Sequence, residues 1–166
     1  MPGWSLLASM AYANRMALVR TLAASSPRAE ALGWLLVRAC AGLFVAAHGY
    51  TKLASGLDGF AVGLARKGFP APFALAACAT ASELVGGVLV ALGLFTRPAA
   101  ASLTFTMVVA WASTHLGDAA SVGQASGGKF EYPFLLSVVF ASLALAGAGT
   151  ISLDRVLFSK RAPADP

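Results

Sequence analysis

The stretch ALGWLLVRACAGLFVAAHGYTKL, residues 31–53, is apolar almost throughout and carries Arg38, His48 and Lys52 as its basic side chains. A hydrocarbon core of about 30 Å takes roughly 20 helical residues to cross, so a stretch of this length reads as a membrane span. Working outward from it, three more stretches of the same kind follow, at Ala71–Phe95, Pro98–His115 and Tyr132–Leu153. The whole composition agrees. The chain of 166 residues is 58% hydrophobic and 11% charged, with a mean hydropathy of +0.74, whereas soluble domains average roughly 45–50% apolar and about 25% charged residues. Four spans with short connections predict an all-α fold, a polytopic membrane protein built as an antiparallel four-transmembrane-helix bundle. The turn Leu94–Pro98 is too short for anything but antiparallel neighbours, with Thr96 expected to cap the third span and Pro98 in its first turn.

Ahead of the first span, residues 1–27 are too polar to cross a membrane and too apolar to be free in water, and their arginines follow the apolar residues instead of preceding them as in a secretory signal. They read as an arm with an interfacial amphipathic helix, followed by a membrane domain at 28–156 and a tail at 157–166. The segment Thr51–Pro70 reads as a partly ordered interfacial or re-entrant piece, and Leu116–Lys129 as a mobile loop. Arg15, Arg20, Arg28, Arg97, Arg155, Lys160 and Arg161 fall on one side of the four spans and Lys52, Arg66, Lys67 and Lys129 on the other, seven against four. Lysine and arginine favour the cytoplasmic side, so both termini are expected there.

The formal net charge of +5 is scattered around apolar spans, without the basic patch interleaved with aromatics that nucleic acid requires. The expected partner is therefore the lipid bilayer, with anionic lipid favoured, and not nucleic acid. Cys40 and Cys78 lie in different spans at different depths, and read as buried small residues rather than a disulfide. No phosphate loop, dinucleotide fingerprint or nucleophile elbow occurs.

The candidate chemistry lies in the ionisable residues inside the spans. At about 100° per residue, Arg38, His48 and Lys52 share an arc of about 80° beside a stripe of Ala39, Gly42, Ala46 and Gly49, and small residues let membrane helices approach closely, so this polar face is expected to point into the bundle. Glu83 is the charge in the second span, on a face of alanines, glycines and Thr80. Counted at about 1.5 Å per residue from a shared exterior end, Glu83 lies about 17 Å deep and Arg38 about 21 Å, which makes an Arg38–Glu83 ion pair the expected structural link. His115 and Glu131 fall at the exterior boundary with Lys52, and His48 lies one turn below, a layer of imidazole, ammonium and carboxylate suited to proton transfer. Trp111 lies one turn before His115, as packing or as a surface for a flat ring. The histidines and glutamate come from three helices without short-range spacing, so no metal site is expected.

Taken together, LVRACAGLFVAAHGYTKL, the FPAP ahead of span two, ASELVGGVLVALGLFTRPAA, the histidine ending span three, GGKFEYPFLL and the closing GAGTISLD resemble the DoxX family of small bacterial four-helix membrane proteins. The resemblance runs from about Leu32 to Val156. It implies a bacterial inner-membrane location and, through a relative of the thiosulfate:quinone oxidoreductase membrane subunit, a role in a redox system. The expected function is a membrane subunit, such as one of a quinone-linked oxidoreductase, that binds quinone or a similar small electron carrier near the exterior face. His48, Lys52, His115 and Glu131 would be the catalytic groups, and Glu83, Arg38 and Trp111 the substrate-binding ones. Electrons would come from a protein partner or soluble donor, since no haem or iron–sulfur ligand set is evident. The alternatives are a non-catalytic scaffold of a larger membrane complex, joined by a protein partner or a homo-oligomer contact, and a proton-coupled exporter with Glu83 as carrier site.

Overall fold

The computed structural model describes residues 9–10, 12–17, 21, 26–115 and 129–158, apart from the side chains of Thr114 and His115. Every regular element among them is a helix. Helix α1 spans Pro27–Ala54, opened by Ser26, whose Oγ accepts the Ala29 N–H at 3.1 Å, with Pro27 in the first turn. The expected span thus begins one turn earlier than its apolar run. A short helix α2, Asp58–Arg66, follows between Gly56 and Gly68, both at positive φ. The interfacial segment expected at 51–70 therefore has regular structure of its own.

Helix α3 covers Pro72–Leu92, with a π turn at Ser82–Gly86. Helix α4, Thr96–Ala110, runs on into a second π turn at Trp111–His115. The cap of α4 is not Thr96. The Asp154 carboxylate accepts the backbone N–H of Phe95 at 2.7 Å and of Thr96 at 3.0 Å, because an anion satisfies the free amides and positive end of a helix better than a hydroxyl does. Helix α5, Glu131–Ala146, is shorter than the expected Tyr132–Leu153, since Gly147 and Gly149 at positive φ end it before the short helix α6, Leu153–Phe158. In the N-terminal arm, residues 9–10, 12–17 and 21 are helical and exposed. The loop expected to be mobile falls outside the described residues except for Lys129.

The four longer helices pack antiparallel in sequence order. A Cβ placed on Gly42 would stand 2.6 Å from the Gly87 carbonyl oxygen and one on Gly49 2.6 Å from the Leu84 nitrogen, so α1 and α3 run opposite ways along a glycine seam. The α3–α4 turn reverses the chain again at Gly93 and Phe95, both at positive φ. Helix α4 meets α5 head to tail, with Trp111 against Phe134 at one end and Arg97 beside Gly147 at the other. The core lies between them, from Val45 and Val90 through Leu103 and Met107 to Phe140 and Leu143.

Among the described residues two charged side chains are buried while large apolar ones face outward. Arg38 and Glu83 are each 2% exposed, while Phe105 and Leu145 on the outer faces are 71% and 81% exposed. Two of the helices, α1 and α3, are long and apolar enough to cross a membrane.

Candidate functional site

Close approach along the glycine seam decides where the buried carboxylate goes. Glu83 Cβ would lie 3.0 Å from a Cβ on Gly49, so the acid is pressed against α1 at the level of Gly49. Lys52 stands three residues further on, on the same face. The result is an ion pair, Lys52 Nζ to Glu83 Oε1, at 2.7 Å. The Lys52 ammonium also stands over the Phe60 ring of α2, 4.7 Å from its centroid, a cation–π contact that ties α2 to the pair. Glu83 Oε2 is buried with no hydrogen-bond partner.

The expected Arg38–Glu83 pair does not form. Depths counted from a shared end place the two side by side, but the ends are not shared. Glu83 faces Gly49, five residues from the end of α1, while α3 begins eleven residues before Glu83. At about 1.5 Å per residue α3 overhangs α1 by about 9 Å, and α2 packs on that overhang. Arg38 lies instead at the opposite end, where its guanidinium donates to the carbonyls of Ala148 and Ile151 and holds the segment after α5.

Beside the ion pair is a cavity of about 670 Å³. Its walls are mainly apolar, from Val45, Phe60, Leu64, Leu75, Phe105 and Met107, and its polar lining includes His48, Lys52, Glu83, Ser82, Ser102, Thr106 and Tyr132. Both π turns contribute, the first through Ser82 and Glu83 and the second through Ser113. Such turns add a residue to the helix and re-aim its side chains. The volume and the few polar groups in apolar walls match the usual form of a small-molecule site.

Of the residues expected to carry chemistry, the structure brings His48, Lys52 and Glu83 to this cavity. His48 does not point into the bundle. It is exposed at the edge of the glycine seam, because Arg38, Gly42, Val45, Ala46 and Gly49 take the inward face of α1. Glu131 is exposed at the start of α5 and Trp111 packs edge-on against Phe130 and Phe134 at 5.7 Å, and neither lines the cavity. The side chain of His115 lies outside the described residues. Cys40 and Cys78 are exposed thiols rather than buried ones, and Cys78 lines the cavity wall. Sequence reasoning passed over Ser82, Ser102 and Thr106. The available signal was the spacing of Ser102 and Thr106 one turn apart, together with a serine beside the span's acidic residue.

A sequence model described as DoxX matches residues 33–116, half of the chain and the part that supplies α1, α2, α3 and α4 to the cavity. The chain belongs to the DoxX family. It is 34% identical over 125 residues to the protein named "Inner membrane protein YphA" of Escherichia coli strain K12, across 73% of this chain and 87% of that one. It is 32% identical over 127 residues to the protein named "Putative oxidoreductase CatD" of Bacillus subtilis strain 168, across 76% and 88%. No solved structure matches it. The chain is thus a DoxX-family membrane protein, and the family match includes both Lys52 and Glu83.

Proposed function

We propose that this protein is a four-span inner-membrane subunit of a redox system, and that its cavity binds a quinone or a similar lipid-soluble electron carrier. The observation that carries the reading is the ion pair in the cavity wall, in which Glu83 has a second oxygen without a partner. The residues fit such a group. Apolar walls suit a ring with a hydrocarbon tail, and Lys52 offers a cation to a head-group oxygen. The name of the Bacillus subtilis relative points to oxidoreduction as well.

A bound quinone takes up two electrons and two protons, the electrons coming from a partner redox protein or soluble donor. Lys52 orients the head group and stabilises negative charge on its oxygen, an effect strengthened where water is excluded. Glu83 Oε2 accepts a proton and passes it to the reduced ligand, and His48, on the same wall, brings the next one in from the surface side. In this reading His115 and Glu131, at the ends of α4 and α5 on the same side of the bundle, form the surface end of the proton route. Purified protein in lipid nanodiscs tests it. Decylubiquinone should raise the thermal midpoint in proportion to the logarithm of its concentration, and Lys52→Ala and Glu83→Gln should abolish the effect. No stabilisation at saturating quinone would refute the reading.

A further inference from the structure

Serine and threonine hydroxyls on membrane-facing helices normally bond back to a carbonyl one turn earlier. Thr104, Ser113 and Ser142 do so here, bonding to Ala100, Val109 and Val138. Ser82 and Ser102 do not. They bond to each other across α3 and α4, Oγ to Oγ at 2.9 Å, and Thr106 Oγ1 donates to Ser82 Oγ at 3.1 Å or to the Ser102 carbonyl at 3.0 Å.

The hydrogens can be counted. The Thr106 hydrogen is taken by one of its two acceptors, and one serine hydrogen is taken by the other serine. When Thr106 donates to Ser82 and Ser82 to Ser102, the Ser102 hydrogen is taken by neither of the other two hydroxyls. Ser102 is exposed on the cavity wall, so its hydroxyl can turn that hydrogen toward a bound ligand. All three hydroxyls line the cavity. The ion pair lies on the other side of the same π turn. Ser82 reaches toward α4, and its neighbour Glu83 is pressed against α1.

We infer that Ser82, Ser102 and Thr106 form a second polar subsite, which donates a hydrogen bond to an oxygen on the far side of the ligand from Lys52. The cavity is then built for a ring carrying oxygens on opposite sides, as a para-quinone does, and discriminates against single-headed amphiphiles such as alkyl phenols or fatty acids. This rests on the quinone reading of the cavity and specifies its substrate class. The hydroxyl trio acts by positioning, so its loss changes selectivity between ligands more than it changes binding at large.

The test is the affinity of the full chain in nanodiscs for two probes, decylubiquinone and a para-decyl phenol that lacks the second oxygen. The wild-type protein should bind the quinone about tenfold more tightly, the worth of roughly one hydrogen bond. Ser82→Ala/Ser102→Ala should lose that preference through weaker quinone binding and keep its phenol affinity, which doubles as the control for folding. Ser102→Thr, which retains a hydroxyl, should keep the preference. If the double variant does not fold, Ser102→Ala at its exposed position carries the same comparison. A double variant with the wild-type preference, or a wild-type protein that binds both probes equally, overturns the inference while leaving a quinone site in place. Binding of neither probe by the wild type overturns the underlying reading instead.

Discussion

Lys52 and Glu83 differ in how they meet their surroundings, and their variants should differ accordingly. The Glu83 side chain is 3% exposed and the Lys52 side chain 23%. Removing the ammonium strands a carboxylate inside the bundle, which costs about 3–5 kcal/mol in comparable buried pairs, whereas removing the carboxylate frees a lysine that can reach the surface. Lys52→Met is therefore expected to lower the thermal midpoint in detergent more than Glu83→Gln does, and Lys52→Met/Glu83→Gln should recover most of the loss. Equal losses that simply add would show that the two side chains act independently. Much of this was legible in the residues. A lone acid in a span had to be buried and paired, and Lys52 and His48 had to share a face. The partner was not legible, because pairing depends on how far one helix is displaced along the next, and counting residues from each end carries no information on that offset.

Among the elements, the α1–α3 seam depends on the absence of side chains at Gly42 and Gly87. A Cβ on Gly87 would stand 2.7 Å from both the Ala46 nitrogen and the Gly42 carbonyl oxygen, all backbone atoms that cannot rotate away. Gly87→Ala and Gly42→Ala should each cost about 1–3 kcal/mol through forced separation of the helices. Gly33→Ala on the same helix meets nothing within 4 Å and should be neutral or slightly stabilising, as glycine is a poor helix former. Unfolding in mild denaturant with circular dichroism would read all three. At the other end, Asp154 links α6 to the start of α4, and Arg38 holds the segment between α5 and α6. Asp154→Asn, which loses the charge and one acceptor oxygen, should increase proteolysis near residues 147–152 without changing quinone-dependent stabilisation at the distant cavity. The two long helices α1 and α3 were readable from apolar length, and the reversal into α4 from the short turn after α3. The ends of α4 and α5 were less so, since the Asp154 cap and the stop at Gly147 are set by a segment whose folding back over the bundle has no local signature.

As a whole, the molecule presents apolar side chains on its outer faces and buries Arg38 and Glu83, with the Lys52–Glu83 cavity at one end and the Arg38–Asp154 closure at the other. That separation gives the two ends different tasks. In the proposed orientation, cysteines introduced at Gly59 in α2 and at Arg155 in α6, in a background lacking Cys40 and Cys78, should react from opposite sides with a membrane-impermeant maleimide, Gly59→Cys in intact cells and Arg155→Cys only after lysis. Reaction of both from outside would contradict an odd number of crossings between them. Composition alone fixed the solvent as lipid, but the cavity needed three dimensions, because its lining is drawn from α1 to α5 and no local pattern marks it. The central claim is that this cavity, and not the opposite end, takes the electron carrier. Photolabelling of native membranes with an azido-quinone, with and without excess decylubiquinone, tests it most directly. The account predicts competed label within residues 60–64, 75–83 and 102–113; competed label around Arg38 and Asp154, or none anywhere, would contradict it.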